Sequence, residues 1–336
     1  MIGNFFKHVE SKYKNHNFSG LCFDSSKCKN GNIFFAIKGT MVDGNQFINH
    51  AIQKGAKTII SSQKFEGLKK NILYIKSSNV RKLLSETAYA IYKNKPNNII
   101  AVTGTNGKSS IADFYFQILR LNKKKVASIG TLGIKKGNQI KSVSNTTLDP
   151  IELSKALNQL KKENINDVIL EASSHGLKQN RLDGLTFKTG IFTNLSHDHL
   201  DYHKTFENYL NSKLYLFKKL LKKDATVIVD SKIKQYKKIK NIAIKNKLNI
   251  LTISTQKSNL EIISHQYHND EQIIKIRYNK KIYKFQTTLV GKIQIKNILM
   301  AMLAANKSNI SFNQIVNIIN KIKPVDGRLQ HMGIIK

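Results

Sequence analysis

Thr103-Gly104-Thr105-Asn106-Gly107-Lys108-Ser109-Ser110 (TGTNGKSS, 103–110) follows the apolar run IIAV at 99–102 and leads into IADFYFQILR at 111–120, which has helical periodicity. Phosphate binding requires this strand, glycine-rich turn and helix, because the turn's N–H groups and the helix N-terminus point at anionic oxygens. Gly104 and Gly107 permit the tight backbone, Lys108 brings a positive charge to the β- and γ-phosphates, and Ser109 can set its hydroxyl on Mg²⁺. The bland alternative is a Gly/Asn turn that merely precedes a helix. A general P-loop pattern would put its first glycine at position 102, where this chain has Val102, so the structural context carries the reading rather than the pattern.

Outward from the loop, IIAVTG (99–104), KVASIG (125–130), DVILEAS (167–173), TGIFTNL (189–195) and ATVIVD (225–230) are apolar runs of strand length. Helical patterns at 108–121, 150–163 and 207–222 separate most of them. Near-continuous apolar strands alternating with helices predict a parallel sheet covered on both faces. The expected class is α/β, with a P-loop, doubly wound, mostly parallel sheet. From 249 to 290 the runs alternate apolar and polar, and helical stretches at 293–306 and 311–322 follow, which predicts an antiparallel appendage to the same domain. Ahead of the loop, NIFFAIKG (32–39), AKTIISS (56–62) and NILYIKS (71–77) predict a small N-terminal α/β domain ending near Lys95-Pro96. The expected division is 1–96, 97–325 and a short remainder, 326–336.

The 336 residues carry a formal charge of +35, from 56 Lys plus Arg against 21 Asp plus Glu. Such a charge suggests a polyanionic partner. The lysines, however, are dispersed among Asn and Ile along the chain, as in KIKQYKKIKNIAIKNK (232–247), instead of forming a basic arm or helix. The expectation is a solvated Lys-rich surface, with no nucleic-acid partner. Two cysteines, Cys22 and Cys28, are too few for a disulfide framework, MIGNFFKHVESKYK is unlike a signal peptide, and no run reaches the roughly 18 apolar residues of a membrane span. These features predict a soluble protein in the reducing cytoplasm, without membrane insertion.

Two further segments follow strand-like runs. EASSHGL (171–177) puts Glu171 at a strand's carboxyl end, where ligands of open parallel sheets gather, and a carboxylate there can join Ser109 on Mg²⁺. TNLSHDHLDYH (193–203) holds His197, His199 and His203, but it lacks companion cysteines and an HExxH helix, which disfavours zinc. His203 reads as a hydrogen-bonding loop residue.

Together, TGTNGKSS, EASSHGL with Gln179 and Arg181 beyond it, TNLSHDHLDYH, and Lys213 in NSKLYLF resemble the Mur ligase family. The segment FDSSKCKNGNIFFAIKGTMVDGNQFINHAIQKGA (23–56) resembles the UDP-binding domain of its MurE type. The resemblance implies an ATP-dependent amide ligase of peptidoglycan precursor synthesis. ATP phosphorylates the free carboxylate of UDP-MurNAc-L-Ala-D-Glu, and the amine of meso-diaminopimelate or L-lysine displaces phosphate through a tetrahedral intermediate. It implies ATP contacts from Thr103 through Ser110 and from Asn297, one Mg²⁺ on Ser109 and Glu171, and a second on His199 and a carbamylated Lys213. Lys108, His199, Lys213 and Arg328 are the implied catalytic set. Ser25 is the implied uridine contact, and Asn145, Thr146, Thr147, Ser173, Gln179 and Arg181 are the implied muramoyl-dipeptide contacts. A monomer is implied. Gln294 departs from the family, which usually has asparagine there. The family also continues into a third, Rossmann-like domain whose DNPR-type or DYAHTPD-type motif this sequence lacks, so that domain is expected to be absent.

Three alternatives compete. One is a non-catalytic binder of the UDP-muramoyl-peptide and ATP, and another is a basic nucleic-acid binder. The third is a folylpolyglutamate synthase, against which the N-terminal DSS and MVDG segments speak.

Overall fold

The computed structural model describes every residue except 7–8, 40–41, 64, 269–270 and 326–336. The chain forms two compact units, Met1–Lys93 with Pro150–Lys155 and Gln179–Leu185, and Asn94–Asp149 with Ala156–Lys178 and Thr186–Lys336. The first unit thus takes in two later segments that a linear division at 96/97 leaves out.

In the first unit, strands β1 (Gly20–Cys22), β2 (Asn32–Phe35), β3 (Thr58–Ser61), β4 (Gly67–Lys69) and β5 (Ile72–Lys76) form a sheet in the order β1-β2-β3-β5-β4. All neighbours are parallel except β4 and β5. β2 and β3 bury every residue, as strands covered on both faces must. Helices α1 (Ile48–Gln53) and α2 (Val80–Ile91) accompany the sheet. α2 begins where the Asn79 side chain accepts the Lys82 N–H at 2.9 Å, and it buries Val80, Leu84 and Ala88, spaced one turn apart. The structure joins Cys22 to Cys28 in a disulfide. The cysteine count therefore does not stand as evidence for a reducing setting.

The second unit is built on an eleven-stranded sheet. Its elements in chain order are β6 (Asn98–Thr103), α3 (Lys108–Leu121), β7 (Val126–Gly130), β8 (Gly133–Lys136), β9 (Gln139–Lys141), α4 (Pro150–Lys162), β10 (Asp167–Glu171), α5 (Ser174–Lys178) and β11 (Phe187–Phe192). There follow α6 (Leu200–His203), α7 (Phe206–Tyr215), β12 (Leu221–Asp230), α8 (Tyr236–Lys245), β13 (Asn249–Ser254), β14 (Leu260–His268), β15 (Glu271–Tyr278), β16 (Lys281–Thr287), α9 (Gly291–Asn306) and α10 (Phe312–Val316). The strand order is β16-β15-β14-β13-β12-β11-β6-β10-β7-β8-β9.

β6 lies between β10 and β11 and runs parallel to both. The chain leaves β6 towards β7 and β10 on one side, then crosses to β11 on the other. That reversal opens a crevice at the carboxyl ends of the three strands, the place where doubly wound sheets hold ligands. α3 is buried on nearly all sides, including the unbroken run Ser109–Phe116, because α9 packs along it. α9 is in turn buried from Asn297 to Ala305, so both helices belong to one apolar core.

The parallel sheet extends further than the sequence suggests. β13 pairs in parallel with β12 and β14 with β13, so the antiparallel appendage begins only at the β14–β15 pair. A second antiparallel extension, β7-β8-β9, was missed because residues 133–141 are short and polar. The helix expected over 207–222 ends in a π-turn at Leu216–Leu220, and β12 begins at Leu221, which pairs with Phe187. Helix-forming Leu and Lys residues there yield to sheet pairing. The helix expected over 311–322 is short. Ser311 and Gln314 form a capping box at its start, and after Val316 only a 3₁₀ turn at Ile319–Lys321 remains. Among the described residues no helix is long and apolar enough to cross a membrane.

Candidate active site

The loop after β6 is braced by the loop after β11. Asn106 N–H donates to Asn194 Oδ1 at 3.0 Å, Thr193 Oγ1 donates to Asn106 O at 2.6 Å, and Thr105 N–H donates to Asn194 O at 3.0 Å. Thr105 Oγ1 meets the Tyr209 hydroxyl at 3.1 Å and accepts the Ser196 N–H at 3.1 Å. Gly104 has φ +145°, and a Cβ on it would stand 1.9 Å from Thr193 Oγ1, so the brace excludes any side chain there. Thr103 and Ser110 are buried at the two ends of the loop.

Two lysines converge on a single carbonyl. Lys108 Nζ donates to Gly104 O at 3.0 Å and to Thr105 O at 2.7 Å, while Lys213 Nζ donates to Gly104 O at 2.7 Å. Lys213, on α7, is only 1% exposed and stands 4.4 Å from the centre of the Tyr209 ring. Burial, with the charge of Lys108 beside it, pulls its ammonium down from 10.5 to about 6.

Glu171, at the end of β10, is 2% exposed and holds three hydroxyl or amide donors. Ser109 Oγ donates to Oε2 at 3.0 Å, Thr131 N–H to Oε1 at 2.8 Å, and Thr131 Oγ1 to Oε2 at 3.3 Å. Burial pushes its carboxyl above the ordinary range, while the Thr131 N–H, Lys108 and the two hydroxyls act in the opposite direction. A Cβ on Gly130 would come within 2.2 Å of Glu171 Oε1, so the missing side chain makes room for this carboxylate. Ser109 Oγ and the Glu171 carboxylate are adjacent oxygen donors of the type hard divalent cations take.

Around the carboxylate, Thr131 Oγ1 meets Thr146 Oγ1 at 3.1 Å. Thr147 Oγ1 donates to Glu171 O at 2.8 Å and lies 3.0 Å from Ser173 Oγ. Asn145 is exposed and donates to Ser144 Oγ. His199 is exposed, with φ +51°, and its ring centre lies 4.9 Å from that of His175 and 6.2 Å from that of Tyr209. His199 and Lys213 thus flank the same tyrosine. His203 is not the loop residue expected: it is buried at the end of α6, its Nε2 has no partner, and burial takes its imidazole down to about 4. Among the described residues no three His, Cys, Asp or Glu side chains converge as ligands of one ion. Asn297, buried on α9, donates to Gln294 Oε1 at 3.0 Å, and a Cβ on Gly107 would lie 2.6 Å from its Oδ1. The asparagine is therefore set against the loop.

In the first unit, Ser25 is buried and its Oγ lies 3.0 Å from His50 Nδ1. Arg181 donates to Gln179 Oε1 through Nε at 3.0 Å and through a terminal nitrogen at 2.8 Å. Arg328 lies outside the described residues.

Residues 102–305 match the Mur ligase middle domain, and residues 17–105 match the Mur ligase family catalytic domain. The chain belongs to the Mur ligase family. Among its relatives, the UDP-N-acetylmuramoyl-L-alanyl-D-glutamate--2,6-diaminopimelate ligase of Rickettsia prowazekii is 37% identical over 329 residues, which cover 97% of this chain and 68% of that protein. The protein of the same name from Chelativorans sp. is 34% identical, over 94% of this chain and 65% of its own length. A solved structure of a ligase with that name superposes with a TM-score of 0.87 at 27% identity, over 98% of this chain and 68% of the other. A MurF ligase from Thermotoga maritima, solved with ADP, shares the fold at 16% identity and a TM-score of 0.61.

Sequence reasoning missed several residues that line this candidate site. Gly130 ends an apolar run and Thr131 follows it, with no motif to mark either, and their part in seating Glu171 is a matter of three-dimensional approach. Tyr209 and Asn194 had a weak signal, because both lie in or beside segments quoted for other residues. His50 lies 25 positions from Ser25, and only the fold joins them.

Proposed function

We propose that the chain is an ATP-dependent, ADP-forming amide ligase that joins meso-diaminopimelate to UDP-MurNAc-L-Ala-D-Glu through an acyl phosphate. The observation that carries this reading is the crevice at β6, β10 and β11, where a glycine-rich loop, Lys108, Lys213 and the Ser109–Glu171 pair converge. The names of the Rickettsia and Chelativorans relatives support the substrate pair.

In this reading the N-terminus of α3 and the N–H groups of 107–109, beyond the two that the Asn194 brace occupies, receive the phosphates, and Lys108 swings from its loop carbonyls to the transferring phosphoryl group. Asn297 lines the adenine side. Ser109 and Glu171 hold one Mg²⁺, while His199 and a carbamylated Lys213 hold a second. When bound, the cations neutralise charge on the phosphate oxygens. Thr146, Thr147 and Ser173 present hydroxyls to the dipeptide, Gln179 and Arg181 take its carboxylates, and Ser25 takes the uridine. Arg328 assists at the phosphates. The reading makes the protein a monomer of the cytoplasm, where these soluble substrates reside.

The direct test is phosphate release from ATP in the presence of UDP-MurNAc-L-Ala-D-Glu and either meso-diaminopimelate or L-lysine. Release is expected only with all three substrates together, and diaminopimelate is expected to be the faster amine. Tight UDP-substrate binding with no release under any combination would leave a non-catalytic binder instead.

Two variants probe the parts separately. Gly104→Ala forces a Cβ into Thr193 and is expected to cost about 2–4 kcal/mol of stability and to abolish the thermal shift produced by ATP. A normal shift would mean that the loop is not the nucleotide site. Arg181→Ala is expected to weaken UDP-MurNAc-dipeptide binding by about tenfold to a hundredfold, with little change in the KM for ATP, because it removes a charge-assisted contact to a carboxylate. Unchanged dipeptide affinity by calorimetry would remove Arg181 from the site.

A further inference from the structure

α9 starts without a capping side chain. Val290 occupies the cap position, and Gly291 follows at φ +85°. The first turns of such a helix depend on contacts to other elements to fix their position. Lys296 makes one of them: its Nζ lies 2.6 Å from Asp230 Oδ2. Asp230 is the last residue of β12, at the carboxyl end of the parallel strands, and its side chain is 3% accessible. Its other oxygen, Oδ1, accepts the Lys232 N–H at 2.8 Å, which fixes the carboxylate plane. Lys296 is half exposed, so the pair joins a rigid buried anchor to a cation at the rim.

The residue after Lys296 is Asn297, whose amide is set against the loop at Gly107 and is bonded to Gln294 one turn earlier. A displacement of the start of α9 would carry Asn297 and Gln294 with it. A buried carboxylate costs desolvation that a hydrophobic contact of similar size would avoid, so stability alone does not account for such a pair, whereas fixing a position does.

We propose that the Lys296–Asp230 pair is a positioning element of the nucleotide site, tying the first turns of α9 to the end of β12 and thereby holding Asn297 against the loop at Gly107. The proposal rests on the reading of residues 103–110 and Asn297 as the ATP site. Neither Lys296 nor Asp230 need touch ATP.

The test titrates the full chain with a non-hydrolysable ATP analogue and, separately, with UDP-MurNAc-L-Ala-D-Glu. The proteins compared are the unaltered one, Lys296→Met, Lys296→Arg and the double variant Asp230→Asn with Lys296→Met. Lys296→Met leaves a buried charge unpaired and risks misfolding, but the double variant removes both charges and keeps the experiment readable. About tenfold weaker analogue binding is expected in Lys296→Met and in the double variant, with UDP-substrate affinity unchanged and with Lys296→Arg restoring most of the loss. Unaltered analogue affinity in the double variant would overturn the proposal, and so would an equal loss of both affinities, which marks general damage. Failure of the unaltered protein to bind the analogue would instead bring down the nucleotide reading, and the positioning role with it.

Discussion

Lys108→Ala is expected to lower ATP-dependent phosphate release by about a thousandfold while leaving UDP-MurNAc-dipeptide affinity within about twofold of the unaltered protein. The asymmetry follows from where the charge is needed. Phosphoryl transfer spreads negative charge over the equatorial oxygens, and a fixed cation at that point stabilises the transition state more than the ground state. The N-terminus of α3 and the loop amides keep part of the ground-state attraction when the lysine is gone, so ATP binding should fall much less than turnover. When Lys108 is gone, Gly104 O keeps the hydrogen bond from Lys213 Nζ, so the structural cost falls mainly on the Thr105 carbonyl. The UDP-substrate contacts proposed at Ser25 and Arg181 lie in the other unit. Single-turnover phosphate release and calorimetry with the UDP-substrate separate the two effects, and an equal loss of both would mean that the loop has been misassigned.

The loop itself was legible in the sequence because its geometry is local. One strand, one turn and one helix suffice, and all three are written consecutively from Ile99 to Arg120. The parallel core was legible for a similar reason: β6, β7 and β10 are buried almost throughout, as is β11 from Thr189 on, and they therefore read as apolar runs. Elements whose stability comes from partners were not. β8 and β9 contain almost no buried residue and exist as strands only because β7 offers an edge. β13 alternates weakly and looked like the start of the antiparallel part, yet β12 captures it in parallel. In the site, Glu171 could be found from its place at a strand end. Thr131, which holds both its oxygens, lies 40 positions away across the sheet and carries no sequence mark.

Lys213 is where the structure adds most to the sequence, and its substitution should be the second large loss. Two amines donate to Gly104 O, and both cannot comfortably be ammonium ions beside one carbonyl. With its pKa pulled to about 6, Lys213 is mostly a neutral amine at pH 7 to 8. A neutral amine is the form that adds to carbon dioxide, giving a carbamate and releasing a proton. The product would be an anion beside the Lys108 ammonium, turning a repulsion into an attraction, and its oxygens would be cation ligands that an amine cannot supply. Below about pH 6 the amine is protonated, and carbamate formation should fail there. The prediction is that Lys213→Ala and Lys213→Arg both lose turnover by about two to three orders of magnitude. Arginine keeps the positive charge and can still bond Gly104 O, but it remains charged throughout this pH range and cannot be carbamylated. Carbon dioxide depletion should slow the unaltered enzyme, with bicarbonate restoring it, and labelled bicarbonate should give a carbamate carbon signal that is absent from Lys213→Arg. Near-normal turnover in Lys213→Arg would reverse the assignment, since the residue would then act as a cation that braces the Gly104 carbonyl.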